Sequence, residues 1–425
     1  NSTKLGSIKV EELRPDVKHN WLNLIKNDFD SLMPIASQET KAAKNKYQEK
    51  ALFRLYTLGV VTNRDDWVYD ESQSALKKKI RWLLKEYNVV AQEQATRKKQ
   101  GHSVLADDEL GTSIKWTRLL KAIAKKGNEI VFDDGSLRRC LYRPFVSKHL
   151  YFSYELNEFR YQLPVVFPEP SSSNRLICFT VGGRLDFYAF ATDQIPSLTV
   201  LSLDANQCLP QFLYEGGRRI DNITDWALDK FLRHYKASRG EMDRKITKEA
   251  IFYYIYGVIH DPIYREKYAL NLKREFPSIP FFKDFWQWAD WGRSLMDLHI
   301  GYETVPQFKL KRTDRPDVRS RKAGLSPKTI LKAEKELGQI IVDSETTLFE
   351  FPQMAWEYRL GNRTAIEWVL DQYKETKSKD PTIREKFDTY RFSDYKEKVI
   401  DLLLRVTTVS VETIKIVEAM KSAKR

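Results

Sequence analysis

Apolar positions along this chain follow a helical period, then a strand period, then a helical period again. Between 16 and about 128, Trp21, Leu24, Ile25, Phe29 and Leu32 recur at three- and four-residue steps, as do Leu52, Phe53 and Tyr56. That spacing predicts two amphipathic helices. A third is predicted over 74–94, with Leu76, Ile80, Leu83, Leu84 and Tyr87 on its apolar face. A fourth follows the acidic start Asp107-Asp108-Glu109 and carries Ile114, Leu119, Leu120 and Ile123. The stretch 59–67 reads as a strand or turn joining the second helix to the third.

At Glu129 the grammar changes. Short β-like runs occur at 130–132, 150–152, 176–179, 187–190 and 198–201, separated by turn clusters such as Asp133-Asp134-Gly135, Pro168-Glu169-Pro170-Ser171 and Gly182-Gly183. The glycine pair reads as a hairpin turn rather than a phosphate loop. Helices return at 224–236, 247–260, 263–276 and 284–299, with Asn222, Thr224 and Asp261-Pro262 as start or break signals. Short strands are predicted at 339–342 and 348–351, and a long helix from Ser393. On that helix Tyr395, Val399, Leu402, Val406 and Val409 form a seam expected to pack on its own domain. The aromatic run Phe281, Phe282, Phe285, Trp286, Trp288 and Trp291 has the spacing of a core seam rather than a base-stacking platform. The fold class is α+β: a helical N-terminal segment, then a mixed or antiparallel sheet surrounded by helices, divided near residue 128.

A chain of 425 residues with 42% hydrophobic and 12% aromatic content can bury two or three real cores. No apolar run approaches the roughly 18–20 residues of a membrane helix, and the polar start carries no signal-peptide core, so a cytosolic protein is expected. Cys140, Cys178 and Cys208 lie among apolar neighbours without metal-ligand spacing and read as buried free thiols. The formal charge of +13 is concentrated in two places. Residues 72–128 carry thirteen Lys/Arg against five Asp/Glu, and residues 309–328 carry eight against two, so the rest of the chain is nearly neutral. Such strips suit a polyanion, although the usual role of a charge run is a solvated face.

Motifs for catalysis are missing. There is no phosphate-loop signature, no Asn-Pro-Pro-Tyr or Asp-Pro-Pro-Tyr tetrapeptide of amino-methyltransferases, and no Gly-x-Ser-x-Gly elbow. His260 and His299 end apolar helices and read as capping or packing side chains. Metal-binding carboxylates are conceivable at Asp133-Asp134 or Asp107-Asp108-Glu109, but acidic pairs are common in turns and at helix starts.

Several stretches carry a resemblance. They are Thr62-Asn63-Arg64-Asp65-Asp66-Trp67, Arg139-Cys140-Leu141-Tyr142-Arg143-Pro144-Phe145, residues 222–302 with Tyr256-Gly257-Val258-Ile259-His260-Asp261-Pro262-Ile263-Tyr264-Arg265, Leu360-Gly361-Asn362-Arg363-Thr364, and the tail 406–418. Together they resemble the C-terminal coupler and target recognition domain of type ISP restriction-modification enzymes and related helicase/adenine-specific methyltransferase polypeptides. The chain departs from that family at Ser378-Lys379-Asp380-Pro381-Thr382-Ile383, where a different turn is usual. The resemblance implies a helical coupler over 1–128, including the last elements of a methyltransferase domain in 59–69. It implies a recognition domain over 129–425: β-rich at 129–221, helical at 222–303, then a basic flexible strip, short strands and C-terminal helices. It further implies double-stranded DNA as partner, with methyltransferase and ATPase/nuclease domains of the same polypeptide as the other partners, and no membrane. No cofactor is expected in this chain; S-adenosylmethionine, ATP and magnesium belong to the other domains.

Base reading needs Arg for guanine and Asn or Gln for adenine on projecting loops. The candidates are Asn174, Arg175, Arg184, Asn362 and Arg363. Phosphate contacts are expected from Lys77, Lys78, Lys79 and Arg81, and from Lys309, Lys311, Arg312, Arg315, Arg319, Arg321 and Lys322. Two rival readings are a divergent nuclease or methyltransferase fragment, and a protein-interaction scaffold of a defence complex.

Overall fold

Two four-stranded sheets of this protein tie early residues to later ones, because their edge strands pair across long sequence separations. The computed structural model describes residues 15, 27–36, 50–182, 186–201, 204–236 and 244–425. One antiparallel sheet has the order Thr57–Leu58, Asn206–Pro210, Leu176–Thr180, Ala189–Thr192. A second runs Tyr69–Asp70, Val146–Tyr151, Leu137–Arg143, Ile195–Pro196, its last pairing parallel. A third, wholly antiparallel, runs Lys311–Asp314, Thr346–Phe349, Gln339–Asp343, Thr329–Glu334. The α+β expectation holds.

Both of the first two sheets cross residue 128. Asn222 helps to fasten the crossing: its side-chain oxygen accepts from the Leu55 amide at 2.9 Å, and its amide donates to the Leu55 and Pro210 carbonyls at 2.8 Å each. One apolar core packs the first sheet against the helices Lys248–Val258 and Phe285–Ile300. A second core gathers the helix Gln73–Lys99 with Leu137, Cys140 and Leu150 of the second sheet and with Leu176, Cys178 and Cys208 from the other face of the first. A third joins Leu141 and Val146 to the third sheet and to the C-terminal helix Phe392–Lys421.

The helices Lys248–Val258 and Phe285–Ile300 touch backbone to backbone. A Cβ at Gly257 would sit 2.4 Å from the Trp288 carbonyl oxygen, and one at Gly292 would sit 1.9 Å from that of Tyr253. Only glycine permits that approach. The Arg143-Pro144-Phe145 stretch forms the corner of a hairpin between Leu137–Arg143 and Val146–Tyr151, and Phe145 takes φ of 59° there. Its buried ring meets Phe190, Tyr302 and Tyr358 edge-on, which explains a bulky residue in a left-handed conformation.

Several expected elements are different. Leu52, Phe53 and Tyr56 are not helical: the Leu52 and Phe53 amides donate to the Pro34 and Ile35 carbonyls, and Phe53 forms a β-bridge with Ile223. All three are buried, so their apolar run marks a core-crossing extended segment rather than one face of a helix. Trp21, Leu24 and Ile25 lie outside the described residues, and Phe29–Ser31 is a single 3-10 turn. Residues 130–132 and 198–201 are not strands, whereas Leu137–Arg143 and Asn206–Pro210 are. The helix expected over 263–276 is broken at Tyr268 into Pro262–Lys267 and Ala269–Leu272. The basic strip is not a flexible tether. It forms the edge strand Lys311–Asp314 and the short helix Val318–Lys322. The C-terminal seam packs inward as expected, with Val399, Leu402, Val406 and Val409 buried.

Candidate nucleic-acid interface

Lys/Arg side chains on an edge strand are a common device against unwanted strand pairing, so the cationic strip has a structural as well as a binding reading. Partner geometry separates the two. Arg312 forms a bidentate pair with Glu397 at 2.7 and 2.8 Å and also meets Asp314 at 2.9 Å, and these carboxylates raise its pKa above the ordinary guanidinium range. Arg321 donates to Glu345 at 2.9 Å. These two cations fasten the strip to the C-terminal helix and to the third sheet.

Asp317 caps Val318–Lys322 by accepting from the Arg319 and Ser320 amides at 3.1 Å each, and from the Ser320 hydroxyl at 2.8 Å. A further hydroxyl bond from Ser344, with these, holds its carboxyl down at about 2. The remaining cations, Lys309, Lys311, Arg315, Arg319 and Lys322, are exposed and have no carboxylate partner among the described residues. A rigid frame thus displays five uncompensated positive charges.

Of the four cations of the helix Gln73–Lys99 expected at phosphate, three have partners within the chain. Lys77 pairs with Asp134 at 2.6 Å, and the Arg81 guanidinium lies 4.6 Å from the Phe132 ring centre. Lys79, expected at phosphate, is instead a buried internal cation: it pairs with Asp70 at 2.8 Å and donates to the Asp66 and Tyr69 carbonyls at 2.9 and 2.7 Å. Burial lowers its pKa and Asp70 opposes the shift. Lys78 is exposed without a partner among the described residues.

Of the expected base readers, Asn174 is corrected by the structure to a frame residue. It is buried, its amide donates to the Val166 and Phe212 carbonyls at 3.1 and 2.8 Å, and its oxygen accepts from the Arg175 and Phe212 amides at 2.9 and 3.1 Å. No donor or acceptor is left for a base edge. Arg175 is partly exposed, donates to the Tyr253 hydroxyl and lies 3.9 Å from Asp297. Arg184 lies outside the described residues. Asn362 projects exposed from the hairpin of Arg359–Leu360 and Arg363–Thr364, while Arg363 pairs with Asp371 at 2.9 Å. The structure therefore keeps Asn362 and Arg363 side by side, and Arg175 apart from them in sequence and sheet.

The other polar candidates are structural. His299 is buried, its two ring nitrogens 2.5 Å from the Tyr256 hydroxyl and 3.0 Å from that of Thr413; burial, with Arg265 nearby, depresses its pKa to about 3. His260 is buried against the Tyr256 carbonyl, and burial and Arg265 lower its pKa too. Asp107 pairs with Lys121 and Lys125, and Asp133 caps a 3-10 turn. All three cysteines are buried and free. Among the described residues no helix is long and apolar enough to cross a membrane.

An α+β frame that displays a cationic edge suits a polyanionic partner. The chain belongs to the family described as the Type ISP C-terminal specificity domain, whose model matches residues 51–402. No curated protein matches it. Among solved structures it is similar to the DrdV–DNA complex determined by cryo-electron microscopy: 44% identity, TM-score 0.86, covering 98% of this chain and 41% of that one. It is also similar to a nuclease-deletion mutant of the Type ISP restriction-modification enzyme LlaGI in complex with a DNA substrate mimic, at 28% identity, TM-score 0.76, covering 98% of this chain and 31% of that one. The fold is shared with the ATP-dependent Type ISP restriction-modification enzyme LlaBIII bound to DNA, at 24% identity, TM-score 0.78, covering 97% and 25%. The chain thus spans between a quarter and about two-fifths of these proteins' lengths.

Proposed function

We propose that this chain recognises a short asymmetric sequence in double-stranded DNA and presents it to an adenine-N6 methyltransferase and an ATP-driven nuclease carried elsewhere in a longer polypeptide. The observation that carries the reading is the five uncompensated cations at 309–322 on a frame fastened by Arg312, Arg321, Asp317 and Glu345. Phosphate contacts position the duplex; Asn362, Arg363 and Arg175 supply base contacts, with Arg184 as a further candidate. S-adenosylmethionine, ATP and magnesium serve the other domains. The division at residue 128 is one of role rather than of folding unit, since sheets cross it. The longer polypeptide is expected to act in the cytoplasm.

The test is the salt dependence of duplex binding by the purified chain. Each phosphate contact contributes a slope of about 0.9 in log K against log salt. Arg319→Glu with Lys322→Glu is expected to lower both affinity and slope, the slope by about 2; Lys78→Glu is expected to change them less. Duplex binding indifferent to reversal of the 309–322 cations would overturn the assignment of that strip.

A further inference from the structure

Among the described residues, the exposed aromatic side chains are Tyr154, Phe159 and Tyr161, although the chain carries 22 Phe, 21 Tyr and 10 Trp. Their relative exposures are 57%, 43% and 44%. Three rings left in solvent within eight residues are a concentrated apolar display on a protein that buries or half-buries its other described aromatics. Phe159 and Tyr161 stack on each other, centroids 5.6 Å apart and planes at 23°.

The loop that bears them is rigid. Val61 and Phe159 exchange backbone hydrogen bonds of 2.9 and 3.1 Å, the Gln162 amide donates to the Thr57 hydroxyl at 3.1 Å, and Leu156, Asn157 and Glu158 are buried beneath. Tyr161 takes φ of 45°, a conformation that a bulky residue adopts only when its surroundings impose it.

Cations flank the stack. The Arg118 guanidinium, paired with Glu158 at 3.2 Å, lies 5.6 Å from the Phe159 ring centre, and that of Arg160 lies 5.7 Å from Tyr154. Thr117, next to Arg118, accepts from Arg64 in the wall of a cleft of about 1,040 Å³ that also holds Lys115, Lys377 and Lys379. The cleft also holds three carboxylates: Asp65 accepts from Thr62 and Tyr142, Asp66 from Ser378, and Asp380 from the Trp67 indole, so with Arg64 four cations face three anions. The three lysines have no carboxylate partner among the described residues.

We propose that Phe159 and Tyr161 form a stacking platform for a nucleobase displaced from a duplex, with the adjoining phosphates seated at Lys115, Lys377 and Lys379. Aromatic faces accept any base, and the neighbouring cations favour a polyanion over an apolar protein surface. The proposal rests on the DNA reading above but concerns a different face, made of residues 57–67, 115–118 and 154–162 rather than 309–322.

The test compares binding of the purified chain to a paired duplex and to the same duplex carrying one bulged 2-aminopurine. The expected result is binding about tenfold tighter to the bulged duplex, with quenched 2-aminopurine fluorescence. Phe159→Leu and Tyr161→Gly are each expected to erase the preference and the quenching while leaving paired-duplex affinity unchanged. Glycine suits the positive φ, so the second variant keeps the loop. Equal affinity for the two duplexes, or a preference retained in both variants, overturns this proposal alone. No binding to either duplex overturns the DNA reading with it. Fluorescence with the unsubstituted chain decides the matter even where a variant fails to fold.

Discussion

Asn174 and Arg319 look interchangeable in sequence as polar residues of loops, and the structure gives them opposite work. Four hydrogen bonds tie Asn174 to Val166, Arg175 and Phe212, so Asn174→Ala strands backbone groups in the interior. We expect a loss of about 2–3 kcal/mol, read as a lower urea midpoint, with an unchanged salt slope for DNA. Arg319→Glu should show the reverse, an altered slope and an unchanged midpoint. Burial decided the difference, and sequence spacing does not report the burial of one loop amide. For Lys79 the same holds, since a Lys-Lys-Lys run conceals that its third member faces the core beside Asp70. The histidines were legible as packing residues because they end apolar helices. Their depressed pKa values mean that the unfolded chain binds protons which the folded chain refuses. Stability is therefore expected to be fully present above about pH 6.5 and to fall as the pH drops below it, before most carboxylates titrate. Comparing urea midpoints at pH 7 and pH 5 checks this, and His299→Gln should flatten the trend; a midpoint constant over that range contradicts it.

Elements with a local start signal were read best. Thr247 accepts from the Ala250 amide, Asp284 from that of Gln287 and Asp261 from those of Ile263 and Tyr264, so these three expected starts lie within a residue or two of an observed cap, whereas the helix expected after Asp107-Asp108-Glu109 begins only at Arg118. Elements defined only by long-range pairing were missed. Leu52 and Phe53 find their partners at Pro34, Ile35 and Ile223, and Thr57–Leu58 finds its partner at Gln207 and Cys208. The edge strand Lys311–Asp314 is not legible as a strand because its exposed, charged pattern conceals pairing with Thr346–Phe349. The aromatic trio of 154–161 is not legible in the sequence, because nothing there distinguishes an exposed ring from a buried one. At the contact of Lys248–Val258 with Phe285–Ile300, Gly292→Ala would drive a methyl group into the Tyr253 carbonyl. A loss of about 3 kcal/mol is expected, measured by denaturation; a neutral substitution would mean that the two helices lie farther apart.

At the scale of the whole molecule, residues before and after 128 share two sheets and two of the three apolar cores. The resemblance over 60–420 carried the family, while the composition pointed only to a polyanion. A chain built this way holds its cationic edge and the Asn362–Arg363 hairpin in fixed relation, as the proposed reading of one DNA sequence requires. The most direct test is selection of duplexes from a randomised DNA pool by the purified chain at about 0.15 M salt, where nonspecific phosphate binding is weakened. Enrichment of one asymmetric motif is the predicted result. A pool that stays random, with binding that simply fades as salt rises, would contradict the claim that this chain itself reads sequence.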